Sequence, residues 1–327
     1  MRGLFFDNLN WSLNRCLAPD GKCNQKAIHA HSVQNAQAMG LLARDGHVKA
    51  LRLVFPEEGA PFVRFEDVGR NEASTFEGFC SAHDSNLFIG IDSYPLDRTN
   101  AEQLFLFAYR AIARETLAVM EAASKMQSAY QQRVSMGPDT GQTPEPAGMI
   151  AVAHAINAYE TWEYKRALDR ALLTRRFSVL LHDVVSIKHG QACIAVSSCF
   201  SLEDRRQREG DPDTPPVLFR EASEDDRIVR VTLSLFPISQ NESVVIFSYT
   251  KDDADRVREF LRPVLDSREH YQKYLLSKLI LMHCENIVIS PELFDQWSGE
   301  KKDTISSFFW KTLHRNAEAE DQNLFLF

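Results

Sequence analysis

Four cysteine and histidine residues, arranged in two pairs, constrain this chain more than any other feature of its sequence. Cys16 and Cys23 flank a Pro-Asp-Gly turn at residues 19–21. Cys80 and His83 have the Cys-x-x-His spacing, with which a loop residue and a residue in the first turn of a helix reach one metal ion. Zinc prefers four such ligands in a tetrahedron. The pattern therefore predicts a structural zinc ion at these four residues; the alternative is buried cysteines and unrelated polar histidines.

The composition is that of an ordinary globular protein. Of the 327 residues, 44% are hydrophobic and 25% are charged, and the net charge of −8 argues against a surface covered by nucleic acid. No run approaches the ~18 apolar residues of a membrane span, and Asp7 and Asn8 follow the start too closely for a signal peptide. We therefore expect a soluble, cytoplasmic, bacterial-type protein without membrane association. In that reducing compartment, its six cysteines are thiols or metal ligands rather than disulfides.

A β-hairpin is predicted between the two ligand pairs. Residues 48–55 form a strand-like run with apolar/polar alternation from Val48 to Val54. Residues 61–65 form a second strand-like run, and residues 56–60 form a turn. A cysteine knuckle, a hairpin and a ligand-bearing helix occur in this order in treble-clef zinc modules. We assign such a module to residues 1–98.

The remainder of the chain predicts an α+β fold. Apolar residues at helical spacing predict helices at 101–133 and 149–175, which form an antiparallel hairpin (99–175) with a flexible loop at 135–148. Asn100 and Gln103 fit a capping box at the start of the first helix. Residues 176–327 are assigned to an α+β domain with an antiparallel sheet. Its predicted strands are 177–187, 191–200, 228–237 and 243–250, and its predicted helices are 252–265, 268–284 and 301–316.

His29 and His31 form a further pair, with the spacing that places two side chains on the same face of a strand. Two neutral imidazoles on one face can bind a second metal ion, or one of them can act as a general base. The alternative interpretation is that one histidine joins the zinc site and the other caps a loop. Both interpretations stay open at the level of the sequence.

The chain resembles two groups of proteins through these residues. His31-Ser32-Val33, followed by Phe79-Cys80-Ser81-Ala82-His83-Asp84, resembles the HNH-type endonucleases with a ββα-metal fold. That resemblance implies phosphodiester hydrolysis, with His31 as the general base, Cys80 and His83 in the structural zinc positions, and Asp84 as a ligand of a catalytic Mg²⁺ or Mn²⁺. His29 would assist at that metal ion. The sequence departs from the family pattern, because Cys-x-x-His replaces Cys-x-x-Cys and Asp84 replaces the last histidine. The pattern C…C…HxHS…GFCxxHD is also similar to that of a set of uncharacterised bacterial proteins.

Four arginines provide the candidate contact to nucleic acid. Arg166, Arg170, Arg175 and Arg176 follow Lys165 near the end of the second helix, where they form either a phosphate-binding stripe or a solvated helix end paired with acidic residues. The apolar ending Leu324-Phe325-Leu326-Phe327 docks either on the core of the chain itself or on a partner subunit, so a protein partner or a homo-oligomer is a candidate. His182, Asp183 and His189 are interpreted as polar residues at strand ends.

Two functions follow from these patterns. The first is a metal-dependent nuclease-like protein that binds or cleaves nucleic acid with His31, His29 and Asp84. The second is a non-enzymatic protein in which zinc only stabilises the fold and which acts through protein–protein contacts, for example as a regulatory or phage-defence component. The sequence contains no P-loop, no dinucleotide-binding Gly-x-Gly-x-x-Gly and no Gly-x-Ser-x-Gly motif.

Overall fold

The structure of the protein is a computed structural model that describes residues 12–56, 59–137, 146–202, 228–313 and 323–327. The strands are β1 (Ile28–His31), β2 (His47–Val54), β3 (Phe62–Gly69), β4 (Thr75–Phe79), β5 (Leu180–Lys188), β6 (Ile194–Ser201), β7 (Arg230–Ser239), β8 (Glu242–Thr250) and β9 (Ile287–Ile289). The longer helices are α1 (Ser81–Asp92), α2 (Ala101–Ser135), α3 (Pro146–Leu173), α4 (Ala254–Asp266), α5 (Glu269–His283) and α6 (Gly299–Leu313). Short helical turns lie at Asn35–Met39, Gly40–Leu42, Phe177–Val179, Lys251–Asp253 and Pro291–Asp295. This mixture of helices with an antiparallel sheet agrees with the predicted α+β class.

The chain divides into two compact units, and each of them is made from two separate stretches of sequence. Unit 1 comprises Met1–Ser32 and Thr75–Phe177, whereas unit 2 comprises Val33–Ser74 and Ser178–Phe327. This grouping differs from the three predicted segments 1–98, 99–175 and 176–327, because residues 33–74 belong with the second half of the chain. None of the helices that the structure describes has the length and apolar character required to cross a membrane.

Unit 1 is built on the two long predicted helices. Helix α2 begins where the sequence predicts, because the Asn100 side chain accepts hydrogen bonds from the backbone N–H groups of Glu102 and Gln103. Only half of the predicted capping box forms. The Gln103 side chain accepts a hydrogen bond from Asp97 N instead, and it donates to backbone carbonyl groups. The predicted N-cap is therefore correct, and Gln103 fastens the preceding loop.

Helices α2 and α3 pack as the predicted antiparallel hairpin. Tyr109, early in α2, donates a hydrogen bond to Asp169, late in α3. At the opposite ends of the two helices, a Cβ atom at Gly148 would lie 3.0 Å from the Tyr130 ring, so glycine permits this close approach. Residues 138–145 of the predicted loop lie outside the described residues.

Unit 2 contains a seven-stranded sheet in the order β3-β2-β9-β6-β7-β8-β5, and every recorded strand pair is antiparallel. Strands β5 to β8 correspond to the four predicted strands, and α4 to α6 correspond to the three predicted helices. One face of the sheet supplies apolar side chains such as Leu233, Val245 and Phe247 to the main core. These side chains pack against apolar residues of α4, α5 and α6 in the same cluster.

The 48–65 hairpin, which was predicted to lie within a zinc module at residues 1–98, is part of unit 2. The hairpin itself forms, as β2 paired with β3, but it belongs to unit 2. Strand β2 also pairs with β9 through Lys49 and Ala50, and Leu51 and Val63 join the unit 2 core. The two strands of unit 1 are instead β1 and β4, which pair with each other in a separate two-stranded sheet. Burial of the apolar hairpin face in the larger core explains this arrangement.

Candidate metal centre

The first ligand pair lies on a tight turn that is fastened to strand β4. The backbone N–H of Leu17 donates to the carbonyl of Gly78 with a 2.7 Å N–O distance, so Cys16 lies beside the end of that strand. Gly21 closes the turn by donating to Ala18 O, and its φ of +65° lies in the left-handed region that glycine adopts without strain. The turn at residues 19–21 is therefore present as predicted, and it returns the chain towards Cys23.

The second pair lies at the start of helix α1. Cys80 is the N-cap residue, with extended backbone angles, and His83 lies in the first turn. The backbone N–H of Asp84 donates to Cys80 O, which fixes this first turn. The backbone N–H of Cys80 points at Cys16 Sγ, at 3.3 Å. The end of strand β4 thus places Cys80 next to Cys16, and the first turn of α1 places His83 beside both cysteines.

The four side chains converge to within one coordination sphere, since one ligand atom from each lies within 4.8 Å of all the others. His83 Nδ1 lies 3.5 Å from Cys16 Sγ and 3.3 Å from Cys80 Sγ. Cys23 Sγ lies 3.8 Å from Cys80 Sγ. A tetrahedral ion with metal–sulfur bonds of about 2.3 Å and metal–nitrogen bonds of about 2.0–2.1 Å places sulfur atoms about 3.8 Å apart, and sulfur and nitrogen about 3.6 Å apart. The observed separations fit such an ion.

The cluster also contains a thiol that ionises readily. Burial of the Cys80 thiol raises its pKa, but hydrogen bonds from the His83 backbone and side chain and from the thiols of Cys23 and Cys16 outweigh this effect, and the pKa falls to about 7. Burial raises the pKa of Cys16 to about 11. Metal binding deprotonates cysteine ligands, so the first proton is released most easily at Cys80.

A buried polar cluster supports the loop that carries Cys16. Lys165 of α3 is only 3% exposed, and its ammonium group donates to the carbonyl of Leu17, to Tyr109 Oη and to Asp169 Oδ1. Burial lowers the pKa of Lys165, and the Asp169 carboxylate opposes that shift. Tyr109 also donates to Asp169 at 2.6 Å. Lys165 thus holds the backbone directly after Cys16, and Tyr109 and Asp169 hold Lys165, which are roles that the sequence did not predict.

Lys165 does carry a recognisable sequence signal. On α3 it falls in line with Ala158, Thr161 and Leu168, which are all buried. A lysine in the apolar line of an amphipathic helix, with an aspartate four residues later, indicates a buried ion pair rather than a solvated helix end.

The structure does not bring His29, His31 and Asp84 together as a second metal group. Within the described ranges, the Cys16, Cys23, Cys80 and His83 cluster is the single group of three or more such ligands. His29 is largely exposed, and its Nε2 atom lies 3.3 Å from Glu77 Oε1. His31 ends β1 opposite Thr75, and Asp84 lies in the first turn of α1. Burial raises the pKa of Asp84, and its Oδ1 atom has no hydrogen-bond partner among the described residues.

The four arginines of the predicted phosphate-binding stripe lie in unit 1, at the end of α3 and directly after it. Arg166 forms an ion pair with Glu163 and lies over the Trp162 ring. Arg175 forms an ion pair with Glu102 and lies over the Phe177 ring. Arg170 is exposed, and so is Arg176. Two of the four guanidinium groups therefore have acidic partners within the chain.

Comparison with known proteins provides no relative for this arrangement. No protein-family model, no curated protein and no solved structure matches the chain. These comparisons therefore give no support to the resemblance to HNH-type endonucleases.

Proposed function

We propose that the protein binds one Zn²⁺ through Cys16, Cys23, Cys80 and His83, and that this ion stabilises the fold of unit 1. The convergence of the four ligand atoms carries the proposal. Four protein ligands leave no open position for water or substrate, which is typical of structural zinc sites. The ligands come from a turn near the start of the chain and from the junction of β4 with α1, so the ion would crosslink segments that are distant in sequence.

The proposal further assigns the protein a non-enzymatic role, in which unit 1 acts as a binding module. A bound zinc ion would supply folding free energy and no reaction chemistry. Around it, the residues of the chain have positioning roles: Lys165 holds the Leu17 carbonyl, and the β4 carbonyl of Gly78 holds the Leu17 N–H. This network would keep the loop of Cys16 in place for coordination.

Elemental analysis of the purified full-length chain tests the proposal. We expect one zinc per chain in the wild type and a large loss of zinc in Cys80→Ser. Cys193→Ser is the matched control, because Cys193 is also buried but lies outside the cluster. Loading with Co²⁺ should give the visible absorption of tetrahedral thiolate-bound cobalt in the wild type and in the control only. Equal metal content in all three proteins would contradict the assignment.

A second candidate function is metal-dependent cleavage of nucleic acid, and one observation favours it. Strands β1 and β4 pair antiparallel, α1 follows β4 directly, and His31 lies at the end of β1. This ββα order is the one that the resemblance to HNH-type endonucleases implies. In this candidate, His31 would be the general base, and Asp84, assisted by His29, would hold Mg²⁺ or Mn²⁺. Arg170 and Arg176 would then be the exposed cations available to phosphate groups.

A cleavage assay separates the two functions. Single- and double-stranded DNA and RNA are incubated with the zinc-loaded protein and Mn²⁺, and His31→Ala is compared with His47→Ala, a change at an exposed histidine of unit 2. Cleavage that is lost only in His31→Ala, with zinc content unchanged, would favour the nuclease. If no protein cleaves any substrate although zinc is bound, the nuclease function is excluded and the structural role of the zinc ion is favoured.

A further inference from the structure

The sheet of unit 2 has a second face that is unusually polar for a buried surface. Strand register places His182, Ser248, Thr232 and Cys199 in one row across β5, β8, β7 and β6. The neighbouring rows place Arg230 opposite Ser201, and Ser234 opposite Ser197. These residues alternate with the apolar residues of the main core, so they lie on the opposite face. Several are almost completely buried, namely Ser197, Thr232, Ser234, Ser248 and Arg230.

Three polar atoms on this face lack a hydrogen-bond partner among the described residues. They are Arg230 Nη2, Ser197 Oγ and His182 Nε2. Arg230 is 5% exposed and Ser197 is 2% exposed. His182 Nδ1 is already engaged with Ser248 Oγ at 2.8 Å, so its Nε2 atom is the one that remains available. Buried polar atoms are almost always hydrogen-bonded, so the partners of these atoms need to be identified.

The guanidinium group of Arg230 indicates that its binding partner would be an anion. Arginine stays protonated in proteins, so Arg230 buries a positive charge. Removal of an unpaired charge from water is expensive, and such groups are normally paired with an anion. The planar guanidinium group also matches the geometry of phosphate and carboxylate oxygens. Water alone could satisfy Ser197 and His182, but it does not neutralise Arg230.

We propose that this polar face of unit 2 binds a small organic anion, with its phosphate or carboxylate group on Arg230 and a polar group directed to His182. The site is independent of the zinc site, since all its residues belong to unit 2. His182 lies two strands and two residues from Arg230 in the register. By ordinary sheet spacing their Cα atoms are about 12 Å apart. A ligand that contacts both side chains is therefore larger than a bare inorganic ion.

Two probes test the site on the full-length, zinc-loaded protein by isothermal titration calorimetry. Inorganic phosphate reports on the anion contact, and ribose 5-phosphate adds hydroxyl groups that can reach His182. We expect saturable binding of both, with ribose 5-phosphate at least about tenfold tighter, because each added hydrogen bond contributes to affinity. Arg230→Gln should weaken both probes by tenfold or more. Arg262→Gln, at an exposed arginine of the same unit, should leave both affinities unchanged.

Conservative variants keep the test decisive if Arg230→Gln does not fold. His182→Gln and His182→Asn should lower the affinity for ribose 5-phosphate towards that of inorganic phosphate, while the affinity for phosphate stays the same. Absence of saturable binding of either probe at 10 mM would overturn the proposal and assign the three atoms to water only. Affinities that are equal in the wild type and in every variant would also overturn it, because the anion would then bind elsewhere.

Discussion

At the scale of single residues, Lys165 shows how a charged side chain acts inside a core. Its ammonium group has a carboxylate, a phenol and a carbonyl as partners, so its three donors are all used. A buried ion pair adds little net stability against an apolar replacement of similar shape, but the loss of one partner leaves the other charge uncompensated.

We expect Lys165→Met to destabilise the protein by about 3 kcal/mol, because the largely buried Asp169 side chain has one hydrogen-bond donor fewer and the Leu17 carbonyl loses its partner. The measurement is the midpoint of urea unfolding at unchanged slope. Lys26→Met, at an exposed lysine of the same unit, should change the midpoint little. A cost below about 1 kcal/mol for Lys165→Met would show that the cluster does not anchor the Cys16 loop.

His182 should make stability dependent on pH. Burial lowers its pKa to about 4, although the neighbouring Asp183 carboxylate opposes the shift. Histidine in the unfolded chain binds its proton near pH 6.5. Between these two pH values the unfolded state therefore binds more protons, so stability is complete above pH 6.5 and decreases as the pH falls towards 4.

We therefore expect wild type and His182→Gln to differ in the slope of unfolding free energy against pH. Between pH 6.5 and pH 4 the wild type should lose up to about 3 kcal/mol more than the variant. The matched control is His47→Gln, at an exposed histidine, which should follow the wild-type curve. Parallel curves for wild type and His182→Gln would contradict the burial effect.

At the scale of elements, local patterns predicted most helices and strands, whereas pairing across the chain was not predictable. The alternation at residues 48–55 identifies a strand, and the turn after it identifies a hairpin, because both signals lie within a few residues. The partner of β2 in the sheet is β9, where Ala50 pairs with Val288. No local signal joins residues so far apart, so the hairpin was assigned to the zinc module, although it completes the sheet of unit 2.

The C-terminal segment, residues 323–327, packs on the core of unit 2. Leu324 and Leu326 are fully buried, and the Leu326 N–H donates to Ser277 Oγ at 3.0 Å. The Phe325 ring stacks on His270 with a 4.6 Å separation between centroids. The apolar ending of the chain therefore fills its own core, as buried apolar residues at a terminus do when they are tied down.

We expect Leu326→Ala to cost about 3 kcal/mol, because the change removes buried methyl groups and leaves a cavity. Thermal and urea unfolding measure this cost. Leu173→Ala is the control, because Leu173 is 58% exposed and its truncation should cost under about 0.5 kcal/mol. An equally small effect at both positions would mean that the segment is not part of the core.

At the scale of the whole molecule, the candidate metal centre was more predictable than its surroundings. The ligands are identifiable from sequence because cysteine and histidine in two close pairs are rare, and because each pair is local. Their convergence depends on β4, which places Cys80 beside the Cys16 turn. Between β1 and β4 the chain contains 42 residues that belong to the other unit, so no local signal predicts this contact. The polar face of the unit 2 sheet had no sequence signal, since serines and threonines on a strand normally face solvent.

All four candidate ligands belong to unit 1, so removal of the metal should affect the two units differently. We expect a chelator to reduce the protection of backbone amides from hydrogen exchange first in β1, β4 and the first turn of α1, because these segments carry or adjoin the ligands. Amides of β6, β7 and β8, which are interior strands of the larger sheet with a partner on each side, should exchange more slowly than these at every time point. The experiment is hydrogen–deuterium exchange with and without chelator, with Cys80→Ser as a variant that should behave like the chelated wild type. Loss of protection that begins in β6 to β8, or a chelator effect that persists unchanged in Cys80→Ser, would contradict a structural role for the ion in unit 1.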